Sequence, residues 1–90
     1  MYNNMWNKPT IYDIIKKTTI KYNDTKLICT CSSRAGNIIV VVNKQNEELL
    51  NELYDIIQDH YGLYSVICEI KKGIYRAQKA IMYKFILTKR

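Results

Sequence analysis

The sequence has one proline and three glycines among its 90 residues, and no apolar run approaches the length of a membrane-spanning helix. So few chain-breaking residues exclude collagen-like and low-complexity proteins, and a hydrophobic content of 48% is too high for a disordered chain. The first residues also lack the basic and then apolar layout of a secretory signal. We therefore expect one small intracellular domain with no membrane contact, because a second hydrophobic core would have too few residues.

The chain has three cysteines, an odd number that does not suit the disulfide framework of a small secreted protein. We expect reduced thiols and a cytoplasmic, reducing location. Together with His60, the three cysteines match a Cys3His zinc set in number, but Cys29 and Cys31 are separated by one residue within a predicted strand. This spacing is not the one that wraps a tetrahedral ion, so we expect small buried apolar side chains and neither metal nor cofactor.

The N-terminal half changes from helical to strand-like periodicity. Residues 1–9 are polar and aromatic, and we expect a flexible tail there, followed by a single domain over 10–90. Isoleucines at helical spacing predict a short helix over residues 10–17. Alternating β-branched residues then predict three strands that form an antiparallel meander because the connections are short, at residues 18–22, 27–32 and 37–43.

The C-terminal half begins with the clearest helix of the sequence, over residues 46–61, for which Asn46 is a suitable N-cap. Residues 63–71 predict a strand that crosses over to lie parallel to an earlier one. The last segment is ambiguous between a strand over residues 80–88 and a helix over residues 75–87. The fold class is therefore α+β: a short N-terminal helix and a single-layer antiparallel or mixed sheet, with a three-stranded meander, a helix and one or two further strands.

Catalytic equipment is sparse in this sequence. The three glycines stand alone, so there is no phosphate-binding loop, and His60 has no nucleophile with an orienting third group nearby. The carboxylates of the helix over residues 46–61 fall on one face, as they do on any solvated helix. We predict that the protein is not an enzyme and has no catalytic residue.

The charge distribution is the most distinctive feature of the sequence. The net charge is +6, yet five of the eight acidic residues lie between residues 46 and 61, and none follows Lys71. We predict an acidic helix on one side of the sheet and a basic surface on the other, which contacts RNA, DNA or a nucleoprotein complex. The predicted contacts are Lys21, Arg34, Lys71, Lys72, Arg76, Lys79, Lys84, Lys89 and Arg90, with Tyr22, Tyr75 or Tyr83 stacking on bases.

An alternative interpretation is a protein–protein interaction module that acts as a homodimer or on another protein. Ile28, Ile39 and Val41 are predicted to form an apolar stripe on the sheet face opposite the long helix, and Trp6 is a candidate anchor. The abundance of Ile, Lys, Asn and Tyr reflects AT-rich codons, which fits a viral or mobile-element protein. Under this alternative the protein is an inhibitor that binds a host factor.

Overall fold

The computed structural model describes residues 10–90, so the predicted tail and Trp6 lie outside the described residues. The elements are α1 (Ile11–Ile20), β1 (Leu27–Ser32), β2 (Ile38–Val42), α2 (Glu47–His60), β3 (Tyr64–Tyr75) and β4 (Gln78–Lys89). The four strands form one open antiparallel sheet in the order β1-β2-β4-β3. The predicted α+β fold with a short N-terminal helix is confirmed.

α1 is longer than predicted and replaces the first predicted strand. It starts with a capping box, in which Thr10 and Asp13 accept hydrogen bonds from each other's backbone N–H groups. It then continues through most of residues 18–22, where a strand was predicted, so that prediction is wrong. The β-branched Thr19 was predicted to lie in that strand. In the helix its buried hydroxyl donates a hydrogen bond to the carbonyl oxygen of Ile15 at 2.8 Å, so this polar group is not left without a partner.

β2 is a central strand, which fits the apolar side chains on both of its faces. It pairs with β1 on one side and with β4 on the other. β3, which was predicted to run parallel to a preceding strand, is antiparallel to β4 and lies at the far edge of the sheet. The reason is the two-residue connection between β3 and β4, which makes these 12-residue strands a hairpin. The strand interpretation of residues 80–88 is confirmed, and the helix interpretation is wrong.

An irregularity in β1 changes which of its side chains share a face. The register shifts between Leu27, which pairs with Val42, and Cys29, which pairs with Val41. An extra residue at such a bulge reverses the alternation. Leu27, which packs against the core, therefore does not share a face with Cys29 and Cys31, whereas unbroken alternation along this strand would place all three together. Cys29 and Cys31 point away from the helices, and neither is a fully buried core residue.

The hydrophobic core lies between the two helices and one face of the sheet. Asn46 caps α2 by accepting a hydrogen bond from the Leu49 backbone N–H at 3.1 Å, which confirms the predicted start of this helix. The core residues are Ile11, Ile15, Ile38, Val40, Val42, Leu49, Leu53, Ile57, Val66, Tyr83 and Phe85. Neither helix in the described part of the chain has the length and apolarity needed to cross a membrane.

The opposite side of the sheet is here called the open face. The cross-strand register places on it Cys29, Cys31, Ile39, Val41, Ile67, Glu69, Lys71, Met82, Lys84 and Ile86. Within residues 10–90 no helix packs on this face, because both helices contribute to the single core on the other side.

Candidate nucleic-acid interface

The C-terminal hairpin extends beyond the rest of the sheet. β2 pairs with β4 only between Ile81 and Phe85, so the residues of β4 before Ile81 have β3 as their only strand neighbour in the described chain. We call residues 71–82 the basic ribbon. It carries four cationic side chains and no acidic one, at Lys71, Lys72, Arg76 and Lys79. All four are exposed.

The turn of the basic ribbon places a guanidinium group at its tip. Arg76 and Ala77 both have a positive φ, at 52° and 64°, as a two-residue hairpin turn of this hand requires. The Arg76 guanidinium carbon lies 5.2 Å from the centre of the Tyr75 ring. This cation–π contact leaves a positive charge and an aromatic ring side by side at the end of the ribbon.

The helix-side face of the basic ribbon forms a groove with the loop that connects β2 to α2. Lys72 and Lys79 are diagonal neighbours on this face, because Lys72 pairs with Ile81 and Lys79 pairs with Ile74. The groove has a volume of about 590 Å³, and the loop contributes Lys44 to its wall. No carboxylate lines it. A groove with lysines and an isoleucine that is 78% exposed suits a ligand with anionic groups along an apolar body.

Lys44 is partly neutralised by a neighbouring acid. Its Nζ lies 3.3 Å from Oδ2 of Asp24, and this ammonium group is the largest cause of the lowered pKa of that carboxyl group. Lys72 and Lys79 make no ion pair within 4.0 Å in the described part of the chain. They are therefore the cations of this groove most available to a ligand.

The open-face side of the basic ribbon lies next to Val41, since Tyr75, Ala80 and Val41 line the same groove. Tyr75, near the ribbon tip, has a raised pKa whose largest cause is the Cys29 side chain at the opposite edge of the sheet. A small groove of about 140 Å³ lies below, between Lys71, Met82 and Val41. The ribbon thus covers one end of the open face, and this explains why Val41 is only 2% exposed there.

The predicted nucleic-acid contacts are divided among separate regions. Lys71, Lys72, Arg76 and Lys79 lie together on the basic ribbon. Lys84 is half-buried in the middle of the open face, where it pairs with Ile39 and Glu69. The remaining predicted contacts are at the opposite end of the sheet, namely Arg34 in the β1–β2 turn, Lys89 and Arg90. At this end Ile38, at the start of β2, pairs with Phe85, and the Asn37 side chain accepts a hydrogen bond from the Leu87 backbone N–H.

Lys21 is the clearest correction to the predicted contacts. It caps the C-terminus of α1, on the helical side of the sheet, and its Nζ lies 2.6 Å from Oε2 of Glu52 in α2. Lys16 and Lys17 of α1 are exposed on the same layer. The helical side therefore carries cations as well as the acidic residues of α2, and Lys21 is already paired with one of those acids.

Of the three tyrosines predicted to stack on bases, one lies on the basic ribbon, where it is half-buried. Tyr83 is fully buried in the core, and its hydroxyl accepts a hydrogen bond from the Asn46 backbone N–H. Tyr22 lies on the helical side and donates its hydroxyl hydrogen to Glu52 at 2.6 Å. Sequence alternation did not reveal that Tyr83 shares its face with the core. Tyr75, beside Arg76, is the aromatic residue that the ribbon offers.

The predicted protein interface is also changed by the structure. Ile39 and Val41 do face away from the helices, but Val41 is buried, so it is not available to a partner. Ile28 lies in the irregular part of β1. Sequence analysis missed Ile67, which is 58% exposed on β3 and pairs directly with Ile86. Its strand was predicted, but its exposure depends on β3 being the sheet edge.

The thiols lie far apart in the sheet. Cys29 and Cys31 are on the edge strand β1, and Cys68 is on β3 at the other edge, on the opposite face. Burial is the largest cause that raises the pKa of Cys68 to about 11. Among residues 10–90, no three His, Cys, Asp or Glu side chains converge in a manner that would hold a metal ion.

No protein-family model, curated protein or solved structure matches this chain.

Proposed function

We propose that the protein binds RNA or DNA, free or within a nucleoprotein complex, through the basic ribbon. The observation that carries the proposal is the grouping of Lys71, Lys72, Arg76 and Lys79 on the basic ribbon, which contains no acidic residue. Lysine and arginine side chains bind phosphate groups by charge, and a two-stranded ribbon has dimensions that a nucleic-acid groove admits. Tyr75 adds a ring on which an unpaired base stacks.

The binding is electrostatic and therefore depends on salt. Each phosphate contact that is lost should reduce the slope of log affinity against log salt by about 0.7 to 0.9. We expect the double variant Lys72→Gln/Lys79→Gln to bind more weakly at low salt and to have a slope smaller by about 1 to 2. The measurement is fluorescence anisotropy with random single- and double-stranded RNA and DNA over a salt series.

The matched control is Lys16→Gln/Lys17→Gln, which removes the same charge from α1 on the helical side. It should leave affinity and slope close to those of the unmodified protein. If no complex forms at low salt with any of the four nucleic acids, the proposal is rejected. It is also rejected if the α1 variant weakens binding as much as the ribbon variant, because binding would then follow net charge alone.

A second candidate function is protein binding through the open face, and the exposure of Ile67 beside Ile86 favours it. An apolar interface responds weakly to salt, so the same salt series separates the two functions. In either case we place the protein in a reducing cytoplasm, a proposal supported by the three free thiols.

A further inference from the structure

β3 is a long strand with one unpaired edge in the described part of the chain. It has 12 residues, and β4 is its only strand neighbour. Tyr75 and Gln78 flank the two-residue turn, so the odd-numbered residues of β3 exchange backbone hydrogen bonds with β4. The even-numbered residues consequently direct their N–H and C=O groups outwards.

α2 covers only the beginning of this edge. The Tyr54 hydroxyl donates to the Val66 carbonyl oxygen at 2.8 Å, and the Gln58 amide donates to the Tyr64 carbonyl oxygen at 2.8 Å. Both acceptors are even-numbered residues, in agreement with the outward direction of their carbonyl groups. From Cys68 to Ile74 the outward groups have no partner among residues 10–90.

The exposed edge also carries apolar side chains. Ile70 is 41% exposed and Ile74 is 78% exposed, on the strand whose Ile67 is exposed on the other face. An unpaired edge of this length and apolarity is a template for pairing with another strand. Glu69 and Lys71, the neighbours of Ile70 in the chain, carry opposite charges and both lie on the open face.

We propose that two copies of this chain pair through their β3 edges in antiparallel orientation, around a two-fold axis at Ile70. Ile70 of one copy then lies opposite Ile70 of the second copy. In this register Glu69 lies directly opposite Lys71 of the second copy, and Lys71 lies opposite its Glu69. The symmetric dimer therefore contains the same attractive pair twice, and the two sheets become continuous.

Charge complementarity selects this register among its neighbours. A two-fold axis one residue earlier places Glu69 opposite itself, and an axis one residue later places Lys71 opposite itself. Like charges directly opposite each other destabilise a strand pair. In the proposed register the two copies exchange backbone hydrogen bonds where Ile70 lies opposite Ile70 and where Cys68 lies opposite Lys72. These residues are beyond the part of β3 that α2 covers.

The test is a charge-swap cycle followed by sedimentation equilibrium without nucleic acid, so its result is independent of the proposed function. We expect the unmodified protein to form dimers with a dissociation constant of about 1 mM or lower. Glu69→Lys and Lys71→Glu should each weaken the dimer by about tenfold, because each change makes both symmetric pairs repulsive. The double variant Glu69→Lys/Lys71→Glu should restore dimerisation.

Ile70→Pro is the backbone test. It removes an outward N–H without removing a bond to β4, and an edge strand tolerates proline in this position. We expect a monomer with an unchanged far-ultraviolet circular dichroism spectrum. The controls Glu48→Lys on α2 and Lys89→Glu make the same charge changes elsewhere and should leave the dimer intact. The proposal is overturned if the unmodified protein is a monomer at all concentrations. It is also overturned if the single charge-swap variants dimerise as strongly as the unmodified protein.

Discussion

The hydroxyl of Tyr83, in the middle of β4, accepts a hydrogen bond of 3.0 Å from the backbone N–H of Asn46 at the start of α2. Tyr83 is fully buried, and burial is the largest cause of its raised pKa. The Asn46 side chain in turn donates to the Thr25 hydroxyl at 3.1 Å. Asn46 therefore joins the sheet, the helix cap and the loop after α1 through these two hydrogen bonds.

Tyr83→Phe should lower the free energy of unfolding by about 1 to 2 kcal/mol, because the part-buried N–H of Asn46 loses its partner, the hydroxyl of a fully buried tyrosine. Urea titration followed by circular dichroism measures the change. Tyr54→Phe is the matched control, since it removes a hydroxyl bond at an exposed edge, and it should cost less. Equal losses in the two variants would contradict a special role for Tyr83.

The ion pair between the helices should stabilise the fold at neutral pH and fail in acid. Lys21 is the largest cause of the lowered pKa of Glu52, and the hydroxyl of Tyr22 is the next. A carboxyl group with a lowered folded pKa stabilises the fold above its ordinary value of 4.5 and loses this contribution as the pH falls through the folded value. Glu52→Gln should therefore differ most from the unmodified protein at pH 7 and progressively less at lower pH. Urea midpoints over this range measure it, with Asp59→Asn as control, and a constant difference would contradict it.

The same cluster predicts a loss of stability in alkali. The hydrogen bond to Glu52 is the largest cause that raises the pKa of Tyr22 to about 12. A raised folded pKa gives a contribution that is complete below the ordinary value of 10.0 and is lost as the pH rises towards 12. Tyr22→Phe lacks this component, so its urea midpoint should decline less than that of the unmodified protein over this range. The prediction fails if both midpoints decline equally.

Long local patterns in the sequence predicted their elements correctly, and short ones did not. α2 was predicted well because its 14 residues repeat an amphipathic stripe after a good cap at Asn46. The five residues 18–22 were too short to distinguish strand from helix, and in the structure Thr19 is buried within α1. The position of β4 between β2 and β3 depends on pairing between distant residues, which local patterns along the chain do not reveal.

The candidate site shows the same limit. The basic composition of residues 71–79 was visible in the sequence, but its concentration on a projecting hairpin follows from where the pairing of β2 ends. The face occupied by Cys29 depended on an irregularity in β1, for which no glycine or proline gave a signal. Lys21 was placed on the basic surface because its strand was predicted, and this error came from the misassigned residues 18–22.

The two sides of the sheet should differ in thiol reactivity. Cys31 is exposed, whereas Cys68 is half-buried with a pKa raised to about 11. At pH 8 about one Cys68 side chain in a thousand is then a thiolate, the form that reacts. Iodoacetamide should label Cys31 well before Cys68, as peptide mapping by mass spectrometry will measure, and urea should abolish the difference. Faster labelling of Cys68 in the native protein would contradict this environment.

The tip of the basic ribbon contains strain that a single substitution relieves. Ala77 has a φ of 64°, a left-handed conformation in which its side chain is unfavourable and glycine is not. Ala77→Gly should therefore stabilise the protein by about 0.5 to 1 kcal/mol in urea titration, despite the greater freedom that glycine gives the unfolded chain. Ala35→Gly is the matched control, because Ala35 is exposed in the β1–β2 turn and does not have a positive φ. It adds the same freedom to the unfolded chain and relieves no strain, so it should destabilise slightly. If Ala77→Gly also destabilises, the turn between β3 and β4 does not have the left-handed geometry on which the position of Arg76 depends.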